Sequence, residues 1–227
     1  MTNQPTGFIL IDKPQDWTSH DVVGYLRGVT GIKKIGHAGT LDPFASGLLF
    51  IAINRESTRE LQNFVGLDKE YIATLKLGAV SNSQDRTGEI EKVKDDIDFT
   101  EKEVKDVLDK FVGKQEQTPP MFSAKKVKGQ KLYNLARKGI EIERKPSQIE
   151  VYNIEMLEFK DSKLVIKVKC SSGTYVRTLA HDIGQTLVSG AYLEELERTK
   201  IGKYDLKYSI KVKDLRKENW ESFTFNS

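Results

Sequence analysis

The sequence predicts an α+β fold, and three observations carry that prediction. Short apolar or alternating runs, read as strands, recur at 7–11, 48–53, 71–77, 149–159 and 164–170. Between them, apolar residues at helical spacing follow capping signals at Thr18-Ser19 and at Thr100 with Glu103. The chain has 227 residues, 38% of them hydrophobic and 30% charged, enough to bury a sizeable core and unlike the composition of a disordered polymer.

The first strand ends in Asp-Lys-Pro, and the helix that follows Thr18-Ser19 has Val22, Val23, Leu26 and Val29 as its buried stripe. Residues 36–47, GHAGTLDPFASG, are too rich in Gly, Pro and small side chains for a regular element, and they run straight into the apolar strand 48–53. A loop held at a strand end is a good mount for chemistry. Residues 71–77 alternate as another strand. The helix opened at Thr100 has the stripe Val104, Val107, Leu108 and Phe111, and Gly113 ends it.

From 114 to about 148 the composition changes. Pro119-Pro120, a dense basic run and one short amphipathic helix around Leu132, Leu135 and Ala136, stopped by Gly139, read as an inserted, mobile arm. Strands return at 149–159 and 164–170, where Leu164, Ile166, Val168 and Cys170 share one face, so the single cysteine is a core thiol. Ser171-Ser172-Gly173 then turns the chain into a helix with Val176, Leu179, Ala180, Ile183 and Leu187 inward and Arg177 on its first turn.

Charge is nearly balanced, Lys+Arg 36 against Asp+Glu 33, but it is unevenly spread. Two stretches are basic, one from Lys125 to Lys145 and one from Arg198 to Lys217. Each is a candidate phosphate footprint, with a solvated lysine-rich face as the alternative. One cysteine forms no internal disulfide, and three scattered histidines, His20, His37 and His181, make no zinc ligand set. No GxxxxGK[ST] loop and no serine nucleophile elbow is present. The start lacks a signal-peptide pattern and no run approaches ~20 apolar residues, so a cytoplasmic protein is expected.

What remains is Asp42, a carboxylate in a glycine-bounded loop, followed by a proline that restricts its backbone. Taken alone, Asp-Pro is a common turn. Its context is not common: GHAGTLDPFASGLL, GFILIDKP with TSHDVV, LDKEY, PPMFSAKKVKGQKLYNLARKGIEI and SSGTYVRTLAHDIG closely resemble the TruB family of tRNA pseudouridine synthases over residues 7 to about 205. The resemblance implies a pseudouridine synthase catalytic fold, with a mixed, mainly antiparallel central sheet flanked by helices and loops. It implies one catalytic domain over 1–227 that includes an RNA-clamping arm at about 114–148, without the C-terminal PUA domain. The implied activity is isomerisation of uridine 55 in the T-loop of tRNA, without cofactor or metal. The partner is the tRNA T-arm, with no guide RNA, no membrane and no obligate protein partner, since the arm is what guide-dependent relatives lack.

Site residues follow from the same resemblance. Asp42 matches the essential carboxylate, which either attacks C1′ of the ribose or removes a ribose proton to give a glycal; both routes stay open. Tyr71 matches the tyrosine that stacks on the target base and is placed to take the C5 proton. Arg177 matches the arginine that pairs with the aspartate, and His37 the histidine set against the extruded nucleotide, since a uridine folded into a T-loop must flip out to react. Leu196 matches an apolar residue of the uracil pocket. Lys13, Tyr175, Arg59 and Asp85 are further candidates for backbone contact or support, and Lys125, Lys126 and Lys128 for phosphate contact. The sequence departs from the pattern at Asp16, usually glycine, at Asn82, commonly aspartate, and at Tyr192, where GAH is more usual.

Overall fold

The structure is a computed structural model that describes residues 5–123, 125–127, 129–136 and 139–226. Its elements in chain order begin with β1 (Gly7–Lys13), α1 (Ser19–Thr30), β2 (Ile35–Ala38), β3 (Ser46–Ile53), α2 (Asn54–Glu60), α3 (Gln62–Val65) and β4 (Lys69–Leu77). Next come β5 (Ala79–Ser81), β6 (Ile90–Lys92), α4 (Glu101–Asp109), β7 (Gly113–Gln117), β8 (Lys126–Val127), β9 (Gln130–Lys131) and α5 (Leu132–Ala136). The chain closes with β10 (Ser147–Lys160), β11 (Lys163–Cys170), α6 (Val176–Thr186), β12 (Ala191–Ile201), β13 (Tyr204–Asp205) and β14 (Ile210–Lys211). It forms two compact units, Met1–Tyr71 with Leu196–Ser227, and Ile72–Glu195.

In the first unit the strand order is β14-β1-β3-β12, with β2 on β3 and β13 on β12. β1 and β2 run antiparallel to β3, whereas β14 on β1 and β12 on β3 are parallel. The sheet is therefore mixed and mainly antiparallel. Both faces of its central strands are covered, which is why β3 reads as an unbroken apolar run. On one face Ile9, Ile11, Leu49, Ile51 and Ile53 pack against Val22, Val23 and Leu26 of α1. Thr18 closes α1 with a full capping box to Asp21, and Gly31 ends it in the left-handed conformation. On the other face Phe8, Leu10, Leu48 and Phe50 pack with Phe64 and Ile201, the rings of Phe50 and Phe64 stacked at 4.1 Å. The last segment is tied to β1 by paired backbone bonds between Phe8 and Phe225. Trp220 packs into the first of these cores and Phe225 against the second, while Phe223 stays 41% exposed.

In the second unit the order is β4-β11-β10-β7, with β10 antiparallel to both β11 and β7. Leu164, Ile166, Val168 and Cys170 are fully buried, so the cysteine is a core thiol. α4 has its capping box between Thr100 and Glu103 and packs on β10 and α6.

Four expectations are revised. Residues 36–38 are strand, because β2 finds a partner in β3 despite its glycine. Residues 114–117 belong to β7, paired with β10, so the sheet reaches into what composition marked as the arm. Gly113 does not end α4, which stops at Asp109; it opens β7 at φ 111°. No strand was expected at 191–201, where Glu194, Glu195, Glu197, Arg198 and Lys200 mask the alternation, yet β12 runs through it.

Candidate active site

Seven residues, 39–45, carry the chain from β2 to β3, and half-buried Asp42 sits at the middle of them. Three buried side chains fix this short loop. Lys13, at the end of β1 and completely buried, donates from Nζ to the carbonyls of Pro14 (2.8 Å), Trp17 (2.7 Å) and Pro43 (3.2 Å). Ser19, at the start of α1, accepts the Leu41 amide at 3.0 Å and donates to the Leu41 carbonyl at 3.4 Å. Arg198, on β12 and 1% exposed, donates from Nη2 to Gly39 O at 2.8 Å and from Nε to Leu48 O at 2.7 Å, clasping both ends. The Asp16 amide adds a bond to Pro43 O at 2.8 Å. Asp16 has φ 63°, the left-handed region, which accounts for glycine being usual at this position.

Arg198 is the electrostatic centre of the cluster. Burial pulls its guanidinium down, and the charge and side-chain hydrogen bond of Tyr71, with the charge of Asp42, pull it back up. Lys13 is lowered to about 8 by burial, opposed first by Asp16 and Asp42 and reinforced by Arg198. The His37 imidazole is likewise lowered by burial, then by Arg198 and His20, so at neutral pH it presents an uncharged ring. Its buried Nδ1 has no hydrogen-bond partner among the described residues. Tyr71 is 8% and Leu196 6% exposed; Leu196 lies two residues before Arg198 on β12, and both side chains are buried. Lys13, His37, Asp42, Tyr71 and Leu196 thus all belong to the first unit. So does Arg59, which stands exposed on α2.

Arg177 belongs to the second unit. Only 3% exposed, it donates from Nη1 to Asp85 Oδ2 at 3.1 Å and Ser83 O at 3.2 Å, and from Nη2 to Phe122 O at 2.9 Å. Asp85, equally buried, also accepts the Ser83 hydroxyl and the Thr87 amide, so donors besides the guanidinium hold the carboxylate. Tyr175 is the N-cap of α6, its amide and carbonyl clamped by the Gln117 side chain at 2.8 and 3.0 Å. Asn82 keeps a turn by accepting the Glu89 amide at 3.1 Å. Exposed Lys125 donates to Ser147 Oγ at 2.8 Å; Lys128 and the side chain of Lys126 lie outside the described residues.

Sequence reasoning missed Arg198, grouping it with a basic surface run. Its role shows only in the fold, at a pair of glycines. An added Cβ would meet Arg198 Nη1 at 3.3 Å from Gly39 and the Arg198 carbonyl at 2.5 Å from Gly47.

The family model for the TruB family pseudouridylate synthase N-terminal domain matches residues 27–176, and that for the tRNA pseudouridylate synthase B C-terminal domain matches 177–224. The chain belongs to the TruB family. Proteins named tRNA pseudouridine synthase B resemble it closely. That of Clostridium tetani is 46% identical over 217 residues, 96% of this chain and 75% of the relative. That of Opitutus terrae is 48% identical over 88% of this chain and 83% of the relative. Solved TruB-like folds include a chain of a Cbf5-Nop10-Gar1 complex, 31% identical with a TM-score of 0.71, covering 92% of this chain. A chain of an H/ACA RNP bound to a substrate RNA containing 2′-deoxyuridine is 29% identical with a TM-score of 0.69. The chain spans about half the length of these two solved chains, 53% and 52%. The TruB fold is thus the one the sequence led us to expect, a pseudouridine synthase fold with a mixed central sheet.

Proposed function

We propose that this protein isomerises uridine to pseudouridine in the T-loop of tRNA, at position 55, with Asp42 as the essential carboxylate. The observation that carries the reading is the mounting of Asp42: a half-buried carboxylate on a loop pinned by Lys13, Ser19 and Arg198, with the Tyr71 phenol hydrogen-bonded to the same arginine. Such a loop holds its carboxylate in place before substrate arrives, so little reorganisation remains for the reaction.

The reaction balances within the nucleotide. The N1–C1′ bond breaks, the uracil turns, a C5–C1′ bond forms, the C5 proton leaves and N1 gains a proton. Asp42 either takes C1′ as a covalent ester or removes a ribose proton to give a glycal. Tyr71 takes the C5 proton, and uncharged His37 fills the stack that the flipped uridine leaves. Arg177, splinted by Asp85, is carried over from the family motif as the partner of the carboxylate. Leu196 lines the base pocket, and Lys125 with Lys126 and Lys128 meet T-arm phosphates. The names of the curated relatives support tRNA as substrate, and we propose that this chain acts on it without guide RNA.

Purified protein alone, incubated with unmodified tRNA, should give pseudouridine at position 55 by chemical mapping. Asp42→Asn keeps the shape of the side chain but loses its charge, so it should abolish product while tRNA still binds. Product above a few per cent in that variant would remove Asp42 from the chemistry.

A further inference from the structure

We infer that the first unit carries a second RNA contact, a cleft for one nucleotide of a single-stranded segment, separate from the Asp42 loop. The cleft has a volume of about 670 Å³. Trp17 and Tyr25, both half-buried, supply its aromatic wall, their ring centroids 6.0 Å apart and 65° to each other. Neither ring is loosely held. The Tyr25 hydroxyl donates to Leu215 O at 3.1 Å, and both rings pack against the core formed by β1, α1 and β3. Three exposed cations, Lys211, Lys213 and Arg216, line the same cleft. Arg216 is steadied by its own Nη1, which donates to the carbonyls of Leu215 (2.8 Å) and Lys213. Asp12 also lines the cleft, beside Lys211, and leaves the balance cationic.

A fixed aromatic face next to clustered cations matches a flat base joined to a phosphate. A duplex stem offers phosphates but no open base face, whereas an unpaired nucleotide offers both. An acidic peptide would satisfy the cations and leave the indole unused. Lys13 bonds the carbonyls of both Trp17 and Pro43, so the cleft wall and the Asp42 loop share one support. The proposal rests on the RNA-substrate reading above, and names a part of the RNA other than the reacting uridine.

Trp17 and Trp220 are the two tryptophans, and Trp220 is only 4% exposed, so changes in emission report Trp17. The full chain is titrated with a single-stranded RNA pentanucleotide. An abasic ribose-phosphate strand of equal length and an acidic peptide serve as competitors. Saturable quenching is expected, lost in Trp17→Phe and at least tenfold weaker in the triple variant Lys211→Ala, Lys213→Ala, Arg216→Ala. The abasic strand and the peptide should compete at least tenfold less well than RNA. Absence of Trp17-dependent quenching, an unaffected triple variant, or equal competition by either competitor would overturn the cleft. Circular dichroism of the variants confirms folding. The same preparations are assayed for pseudouridine: product without quenching removes the cleft and leaves the proposed function standing, while quenching without product supports the cleft and removes the function.

Discussion

Lys13 ties burial, charge and loop geometry together in one side chain. Its ammonium, lowered by burial to about 8 from 10.5, holds three carbonyls, among them Pro43 next to Asp42. Below pH 8 the folded and unfolded chains both keep the proton and the group adds no pH dependence. Between about 8 and 10.5 the folded chain has released it while the unfolded chain retains it, so this group's contribution to stability rises with pH. Loop geometry runs the other way, because a neutral amine has two N–H donors for three carbonyls. We therefore expect kcat to fall as pH rises through about 8, while the denaturation midpoint loses nothing on account of Lys13. Lys13→Arg, which keeps its charge, should move the fall to higher pH. A wild-type pH–rate profile flat across that window would refute this role.

Arg198 acts at the same scale. Replacing it by Gln leaves the buried carbonyls of Gly39 and Leu48 short of their donors, a cost on the order of 3 kcal/mol. Turnover should drop as well, since the Tyr71 hydroxyl loses its partner. Urea denaturation and single-turnover kinetics on the same preparation measure both effects; an unchanged rate in a destabilised protein would make Arg198 structural only.

At the scale of elements, the approach of β12 to β3 depends on a missing side chain. Gly47 has φ 98°, and a Cβ there would lie 2.5 Å from the carbonyl oxygen and 2.8 Å from the amide nitrogen of Arg198. Those are backbone atoms, so relief requires the strands to part and Arg198 to move with them. Gly31, the C-cap of α1, has φ 71° and nothing within 4 Å of its missing Cβ. Gly31→Ala should therefore cost only the left-handed penalty, about 1–2 kcal/mol. Gly47→Ala adds the clash, for a total on the order of 4 kcal/mol, and should lower kcat where Gly31→Ala does not. Equal shifts in denaturation midpoint for the two would show that β12 yields without cost.

Across the whole molecule, the chain passes between its two units inside strands, at Tyr71 in β4 and at Leu196 in β12, with no linker at either crossing. Because β4 and β12 each contribute residues to both units, one cooperative transition is expected. Both tryptophans, Trp17 and Trp220, belong to the first unit, whereas far-UV circular dichroism reports the entire chain. The two signals should give coincident midpoints in urea. Separated midpoints would show units that unfold independently.

The sequence by itself determined the local features whose cause lies within a few residues. The capping boxes at Thr18 and Thr100, the two-faced apolar run of β3 and the alternation of 164–170 are all set by near neighbours. It also determined the Asp42 loop and its family motif, because both are continuous in the chain. Tertiary structure alone decided β2 and β12, whose glycine and charges contradict their local propensity until β3 pairs with them. It alone turned Arg198 from one cation in a basic run into a buried clasp. The carbonyls that Arg198 binds lie 150 and 159 residues away along the chain. No local pattern encodes a hydrogen bond at that separation; only the parallel pairing of β12 with β3 brings donor and acceptor together.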